Sequence, residues 1–310
     1  MFEKKIFMVI WSLSFRSTKQ FFATFHQSFW YPRSRSDLDT IDKSYENFFE
    51  KLGISYPGLD DIDYMNWLRV VRNCSSSVNS EVPDVFYPDQ ANKTWSLLYA
   101  RLRELHYLYA CDEHKLNLQE LENLGIYTGE KIPQFSKINN WLGTKTGFKL
   151  IPVGGMINAR SFLYGLAYRV FFSTRYIRHI SVPFYSPEPD VVHELMGHVP
   201  LFGNEEIAEF SQEIGKKSLG ASEEDIAKLA KIYFYSIEFG IVGDKILGAG
   251  ILGSCKEIFH VKKDKCEFIG WDTKKILSMD FTLSSYQPAY FKTKNFTEMK
   301  KSALKAFSLI

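Results

Sequence analysis

Tyr185-Ser-Pro-Glu-Pro-Asp-Val-Val-His-Glu-Leu-Met-Gly-His-Val-Pro200 sets His193 and His198 five positions apart, with Glu194 directly after the first. Two histidines this close, entered through a double-proline turn, point to a metal site. The spacing excludes the usual zinc-protease helix, in which the histidines stand at i and i+4 and share one face. At i and i+5 they lie roughly 140° apart around an ideal helix, so a straight helix cannot aim both at one ion. Gly197 is expected to loosen the backbone there so that His198 swings inward.

A third ligand would be a carboxylate. Glu238 is the best candidate, in the apolar segment Lys231-Ile-Tyr-Phe-Tyr-Ser-Ile-Glu-Phe-Gly240. A carboxylate in such a setting is costly to bury unless something compensates its charge. A metal would do so, and so would an ion pair with Arg178 or Lys231. Two imidazoles and one carboxylate leave open coordination positions, the pattern of non-haem Fe(II) oxygenases. A zinc hydrolase with Glu194 as general base is the competing reading. The spacing counts against it. A non-catalytic binding protein is the third.

The rest of the chain bounds these readings. It has 310 residues, 45% hydrophobic and 16% aromatic, ample for a large core. The 38 basic and 36 acidic residues are interspersed and leave a net charge of +2. No basic stripe argues for nucleic acid. Cys74, Cys111, Cys255 and Cys266 form no Cys-x-x-Cys pair and read as free thiols in a reducing compartment, hence a cytoplasmic protein. The apolar run Ile6 to Phe15 is too short to span a bilayer. Residues 1–30 are read as an N-terminal tail and 31–310 as one catalytic domain, mostly α with small β elements, its helices expected to surround the candidate metal pocket.

Apolar spacing predicts helices over Ser36–Leu52, Asp60–Asn73, Lys93–Ala110, Leu116–Leu124 and Phe135–Leu142. Gly147–Gly155 reads as a strand entering a turn, Asn158–Phe172 as a helix and Thr174–Ser181 as extended. Asn204 and Ser222 should cap two further helices, the second running to Glu238. Gly248–Gly253 reads as a turn between strands, or as a glycine-lined approach to a flat ligand. Phe296–Phe307 reads as a short helix.

Pro187-Glu-Pro-Asp190 running into His193–Phe202, then Phe210-Ser-Gln-Glu-Ile-Gly215, Glu238-Phe-Gly240 and Gly248-Ala-Gly250, closely resemble the pterin-dependent aromatic amino acid hydroxylases. Thr146-Gly-Phe148, Pro152-Val153 and Tyr176-Ile-Arg-His179 fit the same pattern. The resemblance covers roughly residues 32–300. It implies a monooxygenase that couples oxidation of tetrahydrobiopterin, or a related tetrahydropterin, to ring hydroxylation of an aromatic amino acid at one Fe(II). It further implies the short, monomeric type of this family, with small molecules as its only partners.

Carried over residue by residue, the resemblance makes His193, His198 and Glu238 the iron ligands. Glu194, Tyr233 and Glu188 become catalytic side chains, although Glu188 could instead cap the motif helix. Phe162 would stack on the pterin, with Gly155, Met156, Ile157, Ala159 and Glu194 along its edge. Arg178, supported by Ser186, would take the substrate carboxylate. Pro189, Phe234, Phe239 and Gly250 would wall the ring pocket, with Gly253 and Ser254 nearby. Gly253 stands where the animal enzymes carry serine. Phe234 stands where phenylalanine and tyrosine hydroxylases carry tryptophan and tryptophan hydroxylases carry phenylalanine. Phenylalanine is the expected substrate, with tryptophan the main rival.

Overall fold

The computed structural model describes residues 30–45, 57–263, 266–282, 286–307 and 310. A short 3₁₀ turn, Arg35–Asp39, opens the described chain. Helix α1 (Ile62–Arg72) begins where the Asp61 side chain accepts from the Tyr64 amide. Helices α2 (Asp89–Tyr109), α3 (Asp112–Asn123) and α4 (Phe135–Lys145) follow. Each is longer than its apolar stripe predicted, because polar residues at the ends extend the first or last turn.

The predicted helix Ser36–Leu52 is not observed across residues 40–45, and its remaining positions lie outside the described residues. Leu38 and Ile41 are buried as that pattern required. Two acidic side chains of the segment are engaged in other contacts. Asp39 accepts from Ser77 and the Val78 amide, and Asp42 from the Ser44 amide. The Asp42 bond is local and competes with helix, whereas the Asp39 bonds tie the segment to Ser77 and Val78.

Strand β1 (Lys149–Val153) pairs in parallel with β2 (Val170–Thr174), and α5 (Ala159–Ala167) crosses between them. The predicted helix Asn158–Phe172 is therefore cut short. Arg169 turns the chain with φ +54°. Val170-Phe-Phe, β-branched and aromatic, then fits a fully buried strand better than a helix. Arg169 is anchored in that conformation by Thr146 O, Gln212 and Glu205.

The motif helix is broken into α6 (Val191–His193), a π-helical turn (Glu194–His198) and α7 (Val199–Phe202). Helices α8 (Glu205–Ser218) and α9 (Glu223–Tyr233) start at Asn204 and Ser222, whose side chains accept from Ile207 and Asp225 amides. Helix α9 runs into a second π turn, Phe234–Glu238. Beyond it come β3 (Ile241–Val242), β4 (Lys245–Ile246), α10 (Ala249–Leu252), α11 (Cys255–Lys263), β5 (Phe268–Gly270), α12 (Thr273–Ser278), β6 (Tyr290–Thr293) and α13 (Phe296–Ala306). The strands form a sheet in the order β4-β3-β6-β5. The glycine-rich segment is a short helix rather than a turn between strands. One large apolar cluster runs from Leu38 to Ala306, and a smaller one gathers Phe234, Tyr235, Ile276 and Phe291 around the second π turn.

Candidate metal centre and ring pocket

The i,i+5 spacing of His193 and His198 is resolved by the π turn. Its i→i+5 hydrogen bonding widens one turn by a residue and stacks positions five apart. Gly197 is required for another reason than the hinge expected of it. A Cβ there would lie 2.5 Å from the Ala249 carbonyl oxygen, so glycine lets α10 pack on the turn. Gly248 and Gly253 serve the same packing: a Cβ at Gly248 would meet Glu238 O, and one at Gly253 the His193 backbone. These glycines bring α10 against the ligand-bearing backbones, not against a flat ligand.

Two imidazoles and a carboxylate converge. Nε2 of His193 and His198 are 3.0 Å apart, and Glu238 stands 3.1 Å from His198 Nε2 and 3.8 Å from His193 Nε2. Two ligands each about 2.1 Å from an ion and at right angles stand roughly 3.0 Å apart, so the donor set fits one metal ion. Glu238 pairs with neither Arg178 nor Lys231: Arg178 bonds Asp190, and Lys231 bonds Asp280. Burial drives the His193 pKa down to about 4. Burial alone would raise Glu238 and lower His198, but their mutual attraction outweighs it, so Glu238 falls and His198 rises. The site thus offers one neutral imidazole beside an ionised carboxylate.

Glu194 also comes within 4.8 Å of both imidazoles. Its Oε1 accepts from the Thr174 amide and hydroxyl at 3.3 and 3.1 Å. Glu238, whose oxygens face both Nε2 atoms, is the better third ligand. Burial pushes Glu194 up to about 7. Beside it, Tyr233 keeps a buried hydroxyl with no hydrogen-bond partner. Phe162 lies edge-on to Tyr233 and Phe171, at 5.2 and 5.7 Å. Gly155 and Ile157 close this side, where Tyr45 packs against Gly155 and bridges to Ile157. Met156 and Ala159 are half-buried alongside. An aromatic face, a buried carboxyl and an orphan hydroxyl suit a flat, polar heterocycle.

On the opposite side Arg178 is buried and its guanidinium forks onto Asp190, with Nε and Nη2 each 2.7 Å from a carboxylate oxygen. Asp190 also accepts from the Arg178, Val192 and His193 amides, and so caps the motif helix. That cap is not Glu188, which is buried in an ion pair with Arg72. Ser186 donates to Glu188 O, and Pro189 O accepts from Tyr176. Phe234 and Phe239 stack at 4.5 Å, and a Cβ on Gly250 would strike the Phe239 ring. Ser254 accepts from the Glu257 amide at the start of α11, a capping role.

Several residues of the site escaped the sequence reading. Asp190 was legible: an aspartate directly before Val-Val-His is the expected cap. The rings of Phe171 and Phe202 lie 4.6 and 5.9 Å from that of His198 and 4.9 Å from each other, so the three rings pack as one cluster. His114 and Tyr127 bond the Met196 and Leu195 carbonyls of the π turn, and His106 bonds Leu252 O. No local motif marks His106, His114 or Tyr127, because their partners lie far along the chain.

This fold brings two histidines and one carboxylate together as a donor set that fits one metal ion, beside an aromatic pocket. The sequence pattern of the biopterin-dependent aromatic amino acid hydroxylases matches residues 29–309, and the chain belongs to that family. It is 40% identical over 278 residues to a phenylalanine-4-hydroxylase of Dictyostelium discoideum, covering 88% of this chain and 63% of the relative. It is 38% identical over 277 residues to a tyrosine 3-monooxygenase of Mus musculus, covering 87% of this chain and 56% of that one. It thus spans less than two thirds of either relative. Among solved structures, Chromobacterium violaceum phenylalanine hydroxylase with bound iron(III) and 7,8-dihydrobiopterin superposes with a TM-score of 0.65 at 32% identity. The match covers 72% of this chain and 82% of that one. No helix among the described residues is long and apolar enough to cross a membrane.

Proposed function

We propose that this chain is a pterin-dependent monooxygenase that hydroxylates the ring of phenylalanine to give tyrosine. The observation that carries this reading is the convergence of His193, His198 and Glu238 through a π turn, within a chain of this family. These three side chains would hold Fe(II), and iron with the reduced pterin supplies the oxygen-activating chemistry. The chain's own residues bind, orient and exclude water. Phe162 offers its face to the pterin, the Gly155–Ala159 backbone borders it, and Glu194 and Tyr233 present a carboxyl and a hydroxyl to its polar edge. Arg178, held rigid by Asp190 and bordered by Ser186, receives the substrate carboxylate. Pro189, Phe234, Phe239 and Gly250 enclose the ring over the metal, with Gly253 backing His193 and Glu188 fixing the entry turn through Arg72.

Phe234 keeps tryptophan in view as a second substrate, since one ring in a pocket wall shifts selectivity by only a few kcal/mol. We further propose a monomer working in the cytoplasm, where its four free cysteines stay reduced. The test is an aerobic incubation with Fe(II), a tetrahydropterin and equal phenylalanine, tyrosine and tryptophan. Tyrosine as first product is expected. Predominant 5-hydroxytryptophan would shift the assignment to tryptophan, and absence of both iron binding and turnover would overturn it.

A further inference from the structure

The ring pocket has a layer that its motifs do not contain. Phe281, from the segment after α12, stacks on Phe234 with centroids 3.9 Å apart and planes 17° from parallel. Phe234 in turn stacks on Phe239 at 4.5 Å and 28°. Three rings therefore form one pile, with Phe234 between Phe281 and Phe239, and Phe239 directly after the proposed ligand Glu238. Phe281 belongs to the smaller apolar cluster, set apart from the main core.

Hydrogen bonds pin Phe281 from both sides. Tyr235 donates to the Asp280 carbonyl at 3.1 Å, and Lys231 bonds Leu277 O and the Asp280 carboxylate. The amide of the buried Gln287 brackets Thr282, accepting from its N–H at 3.2 Å and donating to its carbonyl at 2.6 Å. Bonding both backbone groups of the next residue fixes where the Phe281 ring can lie. Close-packed aromatic layers transmit such a constraint, because a ring cannot shift unless its neighbour gives way.

We propose that Phe281 is a positioning residue that sets ring-size selectivity, by holding Phe234 forward in the wall of the substrate pocket. It rests on the proposed function. With Phe281 in place, Phe234 cannot retreat and the pocket suits a six-membered ring. With the outer ring removed, Phe234 can withdraw toward the position it leaves, and the wider indole gains room. The preference is then set jointly by Phe234 and a residue more than forty positions away.

The test is Phe281→Ala and Phe281→Leu in the full-length iron-loaded protein. Phenylalanine and tryptophan compete in one mixture, so the ratio of their kcat/KM values does not depend on the active fraction. Dissociation constants of both amino acids, measured by calorimetry without pterin, give a second readout. The ratio should move toward tryptophan by about tenfold in both variants, with tryptophan binding strengthened relative to phenylalanine. Phe281→Tyr, which keeps the ring, should restore the wild-type ratio. Wild-type turnover of phenylalanine with an unchanged ratio in both variants would overturn this inference and leave the proposed function standing. A wild-type protein that hydroxylates neither amino acid would remove the function, and this inference with it.

Discussion

The two π turns do the same job by different means. In both, residues five apart come to one side of a helix: His193 with His198, and Tyr233 with Glu238. The first is held from outside. Its Leu195 and Met196 carbonyls are taken by Tyr127 and His114, and Asn117 bonds Pro200 O just beyond. The second is held mainly by its own chain. Ser236 bonds back to Ile232 O, and the Phe239 and Gly240 amides reach Phe234 O and Ser236 O. A widened turn leaves carbonyls without their usual partners, and a buried carbonyl needs an acceptor's share of hydrogen bonds from somewhere. The turn carrying two of the proposed ligands thus depends on α3 and the segment after it, whereas the turn carrying the third depends on local sequence.

The largest effect that would break this comparison is loss of a ligand. His198→Ala should abolish stoichiometric iron binding by metal analysis, and hydroxylation with it, while circular dichroism stays helical. Retained turnover would end the ligand assignment. Next comes the cap of the first turn. Asp190→Asn leaves the Arg178 guanidinium buried without its counter-charge, which should cost about 3–5 kcal/mol in urea denaturation. A loss below about 1 kcal/mol would mean that Arg178 finds another partner.

The contact of α2 with α10, where His106 bonds Leu252 O, should respond to pH. His106 is buried, and burial lowers its pKa from the ordinary 6.5 to about 4. The unfolded chain therefore takes up the proton first. The contribution of this neutral histidine is complete above about pH 6.5 and declines as pH falls toward 4, by about 2 kcal/mol at pH 5. His106→Gln removes this titration, so wild type should lose stability relative to the variant between pH 7 and pH 5. Parallel curves would contradict the burial argument.

Smaller effects sharpen the contrast between the turns. Tyr127→Phe strands the Leu195 carbonyl and should cost about 1–3 kcal/mol, with iron affinity falling about tenfold. Ser236→Ala removes a hydroxyl that only supplements bonds within its own helix, and a change of about 0.5 kcal/mol is expected. Equal losses of metal affinity in the two variants would show that both turns rely on the same support.

The sequence by itself singled out the residues proposed to carry the chemistry. His193, His198 and Glu238 were legible because ligand types, their spacing and an apolar setting are local properties. So were the helices capped by Asn204 and Ser222. How an i,i+5 pair could meet was not legible, since the π turn exists through carbonyls satisfied by His114 and Tyr127 from a distant part of the chain. Tertiary structure also decided that Val170–Thr174 is a strand, because β1 offers it a parallel partner where isolated spacing favoured helix. It paired Arg178 with Asp190 rather than Glu238. It laid Phe281 on Phe234, a contact that no local pattern encodes, because ring stacking depends on where two segments meet and not on how far apart they stand in the chain.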